Sequence, residues 1–428
     1  MLKKWFKLTE SKTSIKIEIT AGFTTFMSMA YIIFVNPHML KETGMPFEGV
    51  LFATCISAAA ATILMGLLTN YPFALAPGMG LNAYFTYTIC LGLGIPWQTA
   101  LGAVFISGVI FLLLTVFKVW KFVFDSIPSS IKFATGAGIG MFLAFIGLQN
   151  GGIVAGSDFS LVQIGELAKP KVGLTFFGLF LTGVLMARRV KGSILVGIVG
   201  TTLLAVLAGE TSLPDSYFKV PDIGGTFFQI DIPGALQLGF IYIIFVFLFM
   251  DIFDTLGTLI GIGEYGGFLR EGKLPKMNRA LAADSIGTII GSLSGTSTVT
   301  SYIESSSGIV EGGKTGLVGI VVGLLFLGSI FLSPIASIIP PSATAPALIV
   351  VGSLMIGTAR KINWDDVTEA IPAFLTIILM PLTFSIANGI AIGFITYPVI
   401  KGFGGKRKEV SILTWVLAIL FIIRYIYI

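Results

Sequence analysis

Apolar residues in this chain neither alternate with polar ones nor mark a single helical face. They run unbroken for about 20 positions at a time, the length a helix needs to cross the hydrocarbon of a bilayer. Bounded by Gly, Pro and charge, the runs cover residues 21–40, 49–68, 73–93, 99–119, 130–148, 173–187 and 193–208. After a polar stretch they resume at 239–263, 280–293, 299–310, 316–332, 343–356, 367–384 and 389–400. The pattern predicts an all-α integral membrane protein of about fourteen transmembrane segments, arranged as two seven-span halves. An odd number of spans per half sets the two copies in opposite orientations, the inverted-repeat architecture of secondary transporters. A last hydrophobic helix at 410–428, aromatic from Trp415 and carrying Arg424 near its end, is either interfacial or a further span, and its composition favours the interface.

Composition agrees with lipid as the solvent: 55% of the 428 residues are hydrophobic and 11% charged, about half the charged share of a soluble chain. The net charge of +5 is scattered through short loops, so it reports orientation and points to no nucleic-acid partner. With the N-terminus in the cytoplasm, Lys118, Lys121, Arg188, Arg189, Lys191, Arg270, Lys273, Lys276, Arg279, Arg360, Lys361, Lys406, Arg407 and Lys408 all fall inside. The stretch after the seventh span carries Glu210, Asp215, Asp222 and Asp231 against Lys219 and falls outside, as the positive-inside rule requires. Residues 1–16 mix Lys3, Lys4, Lys7 and Lys12 with Trp5 and Phe6 and are expected to form a cytoplasmic leader helix, not a signal peptide. A multi-pass protein of the plasma membrane is expected.

Cys55 and Cys90 lie within spans and His38 stands beside Pro37 near the end of the first. No disulfide frame, metal cluster or cofactor site is expected from them. The Gly136, Gly138 and Gly140 run and the Gly287 to Gly291 spacing read as close helix contacts, since no βαβ unit surrounds them.

The acids change the picture most. Asp251, Asp254, Asp284, Glu304 and Glu311 fall within or at the edges of the eighth to tenth spans, where no Lys or Arg occupies a middle position. A carboxylate at mid-bilayer costs at least about 2.5 kcal/mol, so an unpaired acid there is protonated, hydrated or matched by a ligand. Asp284, which opens the ninth apolar run, and Glu311, near an inner end, read as caps or ligands of backbone amides. Asp254 and Glu304 read as functional.

Two spans are broken at corresponding places. Pro72, Pro77, Gly78 and Gly80 forbid a continuous helix from Tyr71 to Asn82, and the helical part is expected near Gly80. The run Gly295-Thr296-Ser297-Thr298-Val299-Thr300-Ser301 predicts a short extended piece, with a helix starting near Tyr302. Matched breaks of this kind point to a transporter's midplane site, and Asn82 and Glu304 are expected in the first turns of the two half-helices.

At these residues the chain resembles the AzgA-like adenine/guanine/hypoxanthine permeases of the nucleobase–ascorbate transporter class (nucleobase:cation symporter type 2). The stretches that carry it are 22–37 (GFTTFMSMAYIIFVNP), 70–85 (NYPFALAPGMGLNAYF), 249–261 (FMDIFDTLGTLIG) and 295–317 (GTSTVTSYIESSSGIVEGGKTGL). The resemblance implies a core domain, 18–119 with 239–337, moving elevator-fashion against a gate domain, 128–210 with 343–402. It implies that Asp254, followed by Thr255-Leu256-Gly257, and Glu304 bind the substrate. Asn82 joins them, and Gly80 allows close backbone approach. Ser305, Tyr302 and Phe253 complete the expected substrate set, with Tyr31 and Phe85 also available for stacking. Asp251 lies three residues before Asp254 on about the same helical face and is expected behind the site or linked to the proton.

A purine base fits these residues, since carboxylates accept ring N–H bonds while an Asn amide both donates and accepts. Proton-coupled uptake of purines is therefore expected, with Asp254, Glu304 and Asp251 as proton-coupling candidates, sodium left open in place of the proton, and a homodimer as one candidate assembly. An anion carrier of the same fold is a weaker reading because two acids at the site repel an anion. A passive channel does not need them, and an enzyme lacks any Ser–His, Cys–His or HExxH arrangement.

Overall fold

The computed structural model describes residues 2–157, 161–214, 216–237, 241–270 and 273–427. Met1, Asp215, Gly239 and Ile428, which fall in segments read from the sequence, lie outside the described residues, as does the side chain of Arg424.

The chain opens with α1 (Leu2–Trp5), turns, and continues into α2 (Ile15–Met29), whose first turn is capped by the Ser14 hydroxyl. The expected leader helix is thus a single short helix followed by turns, with Phe6 and Leu8 buried against Leu317. The first apolar run is two helices, α2 and α3 (Ile32–Lys41), interrupted at Ala30 and Tyr31. α4 (Phe47–Thr69) ends on Asn70 in the left-handed region at φ 59°. β1 (Leu75–Pro77), α5 (Met79–Ala83) and a π-helical stretch (Tyr84–Gly92) make up the third segment. Next come α6 (Trp97–Val116), α7 (Trp120–Ser126) and α8 (Ser129–Asn150). A hairpin not foreseen from the sequence, β2 (Val154–Ser157) with β3 (Leu161–Ile164), leads to α9 (Pro170–Ala187) and α10 (Ser193–Leu207).

In the second half, α11 (Ile232–Ala235) precedes α12 (Ile241–Tyr265) and α13 (Met277–Ser294). α13 therefore starts before the ninth apolar run, which places Asp284 inside the helix and not at its opening. Its first turn, with Asn278 and Arg279, is too polar to belong to the run. β4 (Val299–Ser301), α14 (Ser305–Val310), α15 (Leu317–Ser329), α16 (Ser333–Ser337), α17 (Pro341–Met355), α18 (Val367–Leu382), α19 (Ile386–Lys401) and α20 (Ile412–Tyr427) complete the chain. This is an all-α, multi-spanning membrane fold. Among the described residues, nine helical segments are long and apolar enough to cross a bilayer.

Contacts divide the chain into two compact units, Met1–Lys118 with Asn150–Ala347, and Val119–Gln149 with Leu348–Ile428. In the first, α4 packs on α13 and α15, α13 on α6, and α15 on α2. Small residues let these backbones close. A Cβ on Gly66 of α4 would stand 2.5 Å from the Gly316 carbonyl oxygen, and one on Gly287 of α13 would stand 2.6 Å from Ala61 Cβ. The acidic connection before α12 packs back on the same unit. Thr226 lies over Gly49 and Gly295, and Asp231 takes bonds from the Gly234 amide and the Thr99 hydroxyl that hold its carboxyl below the usual range. In the second unit, α18 packs on α19 and α19 on α20. There a Cβ on Gly140 would meet the Gly352 carbonyl oxygen at 2.6 Å, so these glycines mark helix contacts as read.

Candidate functional site

The two predicted breaks meet in space. Gly295, at φ 108°, closes α13, and the β-branched residues after it run extended beside the proline-bounded piece before α5. β1 and β4 pair antiparallel, Leu75 opposite Ser301, Ala76 opposite Thr300 and Pro77 opposite Val299. In a membrane interior every backbone polar group needs a partner from the protein, and the crossing supplies them. The Tyr302 amide donates to the Ala74 carbonyl at 2.9 Å and the Gly78 amide to Thr298 at 2.9 Å. Tyr302 Oη donates to the Pro77 carbonyl at 2.5 Å. Ser305 Oγ donates to the Tyr302 carbonyl at 2.6 Å while accepting from the Ala74 amide at 2.9 Å. A Cβ on Gly78 would stand 2.9 Å from Thr300 Oγ1, so only glycine lets the strands approach this far.

α5 leaves this crossing at Met79, close to the predicted start. α14 begins at Ser305, later than the expected Tyr302, because the Ser305 bond to the Tyr302 carbonyl folds the intervening residues into a turn. Glu304 is accordingly the residue that precedes the helix, not one of its first turn.

Glu304 is half-buried, and its Oε1 accepts from Tyr31 Oη at 2.9 Å. Tyr31 itself is buried at the interruption between α2 and α3. Asp254, on α12, lies near the Thr300 hydroxyl of β4 and acts electrostatically on Glu304, Tyr302 and Tyr31. Two carboxylates and two phenols thus share one locality, and among the described residues neither carboxylate is in an ion pair. Such a set, rich in acceptors, suits a neutral planar molecule with N–H donors along its edge.

Behind Asp254 lie two fully buried acids, Asp251 on the same helix and Asp284 on α13. Thr255 Oγ1 donates to Asp284 Oδ1 at 2.7 Å, and Thr288 Oγ1 reaches Asp251 Oδ2 at 3.4 Å. Asp284 is therefore no helix cap.

A model of the Permease family matches residues 16–392. A protein of Methanocaldococcus jannaschii described as a permease is 53% identical over 428 residues, covering 100% of this chain and 98% of its own. An adenine permease of Escherichia coli is 44% identical, covering 100% of this chain and 96% of its own. A guanine/hypoxanthine permease of Bacillus subtilis is 45% identical, covering 100% of both. The chain belongs to the nucleobase permease family. The transmembrane domain of a cyanobacterial bicarbonate transporter shares the permease's fold, with a TM-score of 0.67 over 87% of this chain and 97% of that one at 15% identity. The permease is a transporter and not an enzyme.

The other expected site residues of the permease sit as follows. Asn82 is fully buried in α5 and its Oδ1 accepts from Ser297 Oγ at 2.5 Å, which ties it to the run before β4. Gly80 is buried beside it in the same short helix. The Ser305 hydroxyl bonds backbone groups on both sides of the crossing, the Ala74 amide and the Tyr302 carbonyl. Phe253 is buried against Phe249, with ring centroids 4.5 Å apart, and Phe85 is fully buried. Glu311 pairs with Lys191 at 2.5 Å. Among the described residues no three His, Cys, Asp or Glu side chains gather as a metal site. The sequence reading missed the hydrogen-bonding role of Tyr31, the Thr300 hydroxyl and the buried placement of Asp284. The hydroxyl-rich run 295–301 carried the signal for Thr300, and nothing local carried the other two.

Proposed function

We propose that this permease takes up purine nucleobases by proton symport, with Asp254 and Glu304 as the substrate-binding acids. Close relatives that are an adenine permease and a guanine/hypoxanthine permease match this chain from end to end, and that supports a purine as the substrate. The placement of Asp254 and Glu304 at the β1–β4 crossing, without a basic partner among the described residues, supports a site built for N–H donors. Purine N–H groups satisfy the two carboxylates, Tyr31 and Tyr302 lie alongside, Asn82 of α5 joins them as a ligand, and Gly80 allows close backbone approach.

The same reading takes the topology as fourteen spans in two inverted halves with the N-terminus in the cytoplasm of a plasma-membrane protein. A core of 18–119 and 239–337 moves against a gate of 128–210 and 343–402 in an elevator cycle, and the acids of the core, with Asp254, Glu304 and Asp251 as candidates, take up the proton that accompanies the purine.

The test is a thermal-shift and competition panel of nucleobases on the purified protein, repeated with Asp254→Asn and Glu304→Gln. Adenine, guanine or hypoxanthine is expected to stabilise the wild type. Each variant is expected to weaken that binding roughly tenfold to a hundredfold, as loss of a hydrogen bond to a charged group implies. Uptake into proteoliposomes that is indifferent to a pH gradient would sink the proton coupling, and a panel with no purine response would sink the substrate.

A further inference from the structure

The purine acids leave one buried group of titratable side chains without a role, the Asp251 and Asp284 pair. Both residues have no exposed surface. Each carboxyl has one oxygen in contact with a threonine hydroxyl, Thr255 for Asp284 and Thr288 for Asp251. The remaining oxygens, Asp251 Oδ1 and Asp284 Oδ2, have no donor among the described residues, and the two carboxyls lie within interaction range of each other across the α12–α13 contact.

Among the described residues no positive side chain balances them. Of the elements packed against α12 and α13, α5, α6, β1 and β4 carry no ionisable residue other than those in their loops. α4 brings Glu48, which pairs with Lys219, and the buried Cys55. α14 brings Glu304 just before its start and Glu311, paired with Lys191, just after its end. On α13 itself, Arg279 reaches the Leu68 carbonyl. On α12, Tyr242, Glu264 and Tyr265 lie toward the ends, and Asp254 is the one further acid that acts on the pair. Two carboxylates facing each other with no cationic side chain beside them repel strongly, and a single hydrogen between them satisfies both orphan oxygens at once.

We propose that Asp251 and Asp284 form the coupling-proton site of this permease, separate from the purine ligands, with one proton shared between their facing carboxyls. The inference rests on the proton-coupled reading above and locates the proton within it. On binding, the proton forms an O–H bond to one aspartate and a hydrogen bond to the other, and the pair passes from two negative charges to one. Release reverses both steps.

Thr288 links this site to the substrate crossing. Its hydroxyl has one hydrogen and two acceptors in reach, Asp251 Oδ2 at 3.4 Å and the Val299 carbonyl at 3.1 Å, while its oxygen accepts from the Val299 amide at 3.1 Å. A charged Asp251 draws that hydrogen toward itself, and a protonated one leaves it to β4. Val299 is followed by Thr300, whose hydroxyl lies near Asp254. Proton occupancy is thereby felt on the strand that presents a purine acid.

The experiment compares wild type with Asp284→Asn in proteoliposomes, measuring exchange of labelled purine at equal pH and net accumulation under an inward pH gradient of about one unit. With one proton per purine, such a gradient sustains about tenfold accumulation in the wild type. Asp284→Asn is expected to keep exchange and lose accumulation. Accumulation in Asp284→Asn equal to wild type overturns the site alone. A wild type that exchanges purine yet ignores the pH gradient, or follows sodium in its place, overturns the symport reading and this site with it. Thr255→Val covers the case in which Asp284→Asn does not fold. Removing the donor to Asp284 disfavours its charged form, so the pH midpoint of uptake is expected to move upward, and a midpoint equal to wild type overturns the proposal.

Discussion

Tyr31 and Glu304 stand 273 residues apart in the chain and are joined by a 2.9 Å hydrogen bond from phenol to carboxylate. The bond ties the interruption of the first apolar run to the residue that opens α14, so the orientation of Glu304 depends on a helix break far away in sequence. Tyr31→Phe keeps the packing of the ring and removes the donor. Purine affinity, read by competition for labelled substrate, is expected to fall roughly tenfold, the scale of one bond to a charged group. Unchanged affinity in Tyr31→Phe would mean that Glu304 needs no orienting partner.

The α4–α15 contact makes a prediction about stability alone. At Gly66 an added methyl would stand 2.5 Å from the Gly316 carbonyl oxygen, a backbone atom that cannot rotate away, whereas at Gly257 on α12 nothing lies within 4 Å. Gly66→Ala is expected to cost about 1–3 kcal/mol by overpacking and to lower the midpoint of thermal unfolding in detergent. Gly257→Ala should leave that midpoint in place.

These two cases also show what the sequence could and could not reveal. The membrane-spanning, all-helical character is readable because lipid demands long apolar runs, and the breaks before α5 and α14 because proline, glycine and β-branched residues announce them. The interruption at Ala30 and Tyr31 carries neither proline nor glycine, so nothing local disclosed it. Asp254 and Glu304 stood out as acids in apolar company. The apolar pattern sets Asp284 at a helix end, whereas α13 begins in a polar turn outside the apolar run, which moves the residue to a buried interior position. The pairing of Leu75 with Ser301 and of Tyr31 with Glu304 depends on tertiary approach, which no local pattern encodes.

Glu18 gives a third prediction. It is fully buried in α2 and accepts from Thr13 Oγ1 at 2.8 Å, Thr315 Oγ1 at 2.7 Å, and the amides of Lys314 and Thr315 at 3.0 and 3.2 Å. Glu18→Ala strands those donors, each at about 1–3 kcal/mol. Loss of thermal stability together with faster proteolysis near residues 312–316 is the expected result. Glu18→Gln, which keeps one acceptor, should fall between.

The Lys191 and Glu311 ion pair, at 2.5 Å, tests the elevator reading. As a half-exposed pair it adds about 0–1 kcal/mol at most, so its loss should hardly affect folding. Lys191→Cys with Glu311→Cys, joined by a short bifunctional thiol reagent, is expected to stop uptake, and a cleavable linker should restore it on reduction. The native Cys55 and Cys90 are buried and should stay silent. Full uptake in the cross-linked protein would show that these loops travel together.

The crossing of β1 with β4 also sets an order of events during synthesis. Tyr302 and Pro77 are 225 residues apart, so the ribosome must deliver most of the chain before Leu75–Pro77 meets its strand partner. Until then the first half waits in the bilayer with unpaired amides and carbonyls at a depth where water does not supply substitutes. Thr62 relieves part of this early, since its hydroxyl both accepts from the Leu75 amide and donates to the Leu75 carbonyl at 2.9 Å. An isolated first half should therefore be a ready client for membrane quality control, and it should be rescued only by a second half that arrives with residues 299–301 intact.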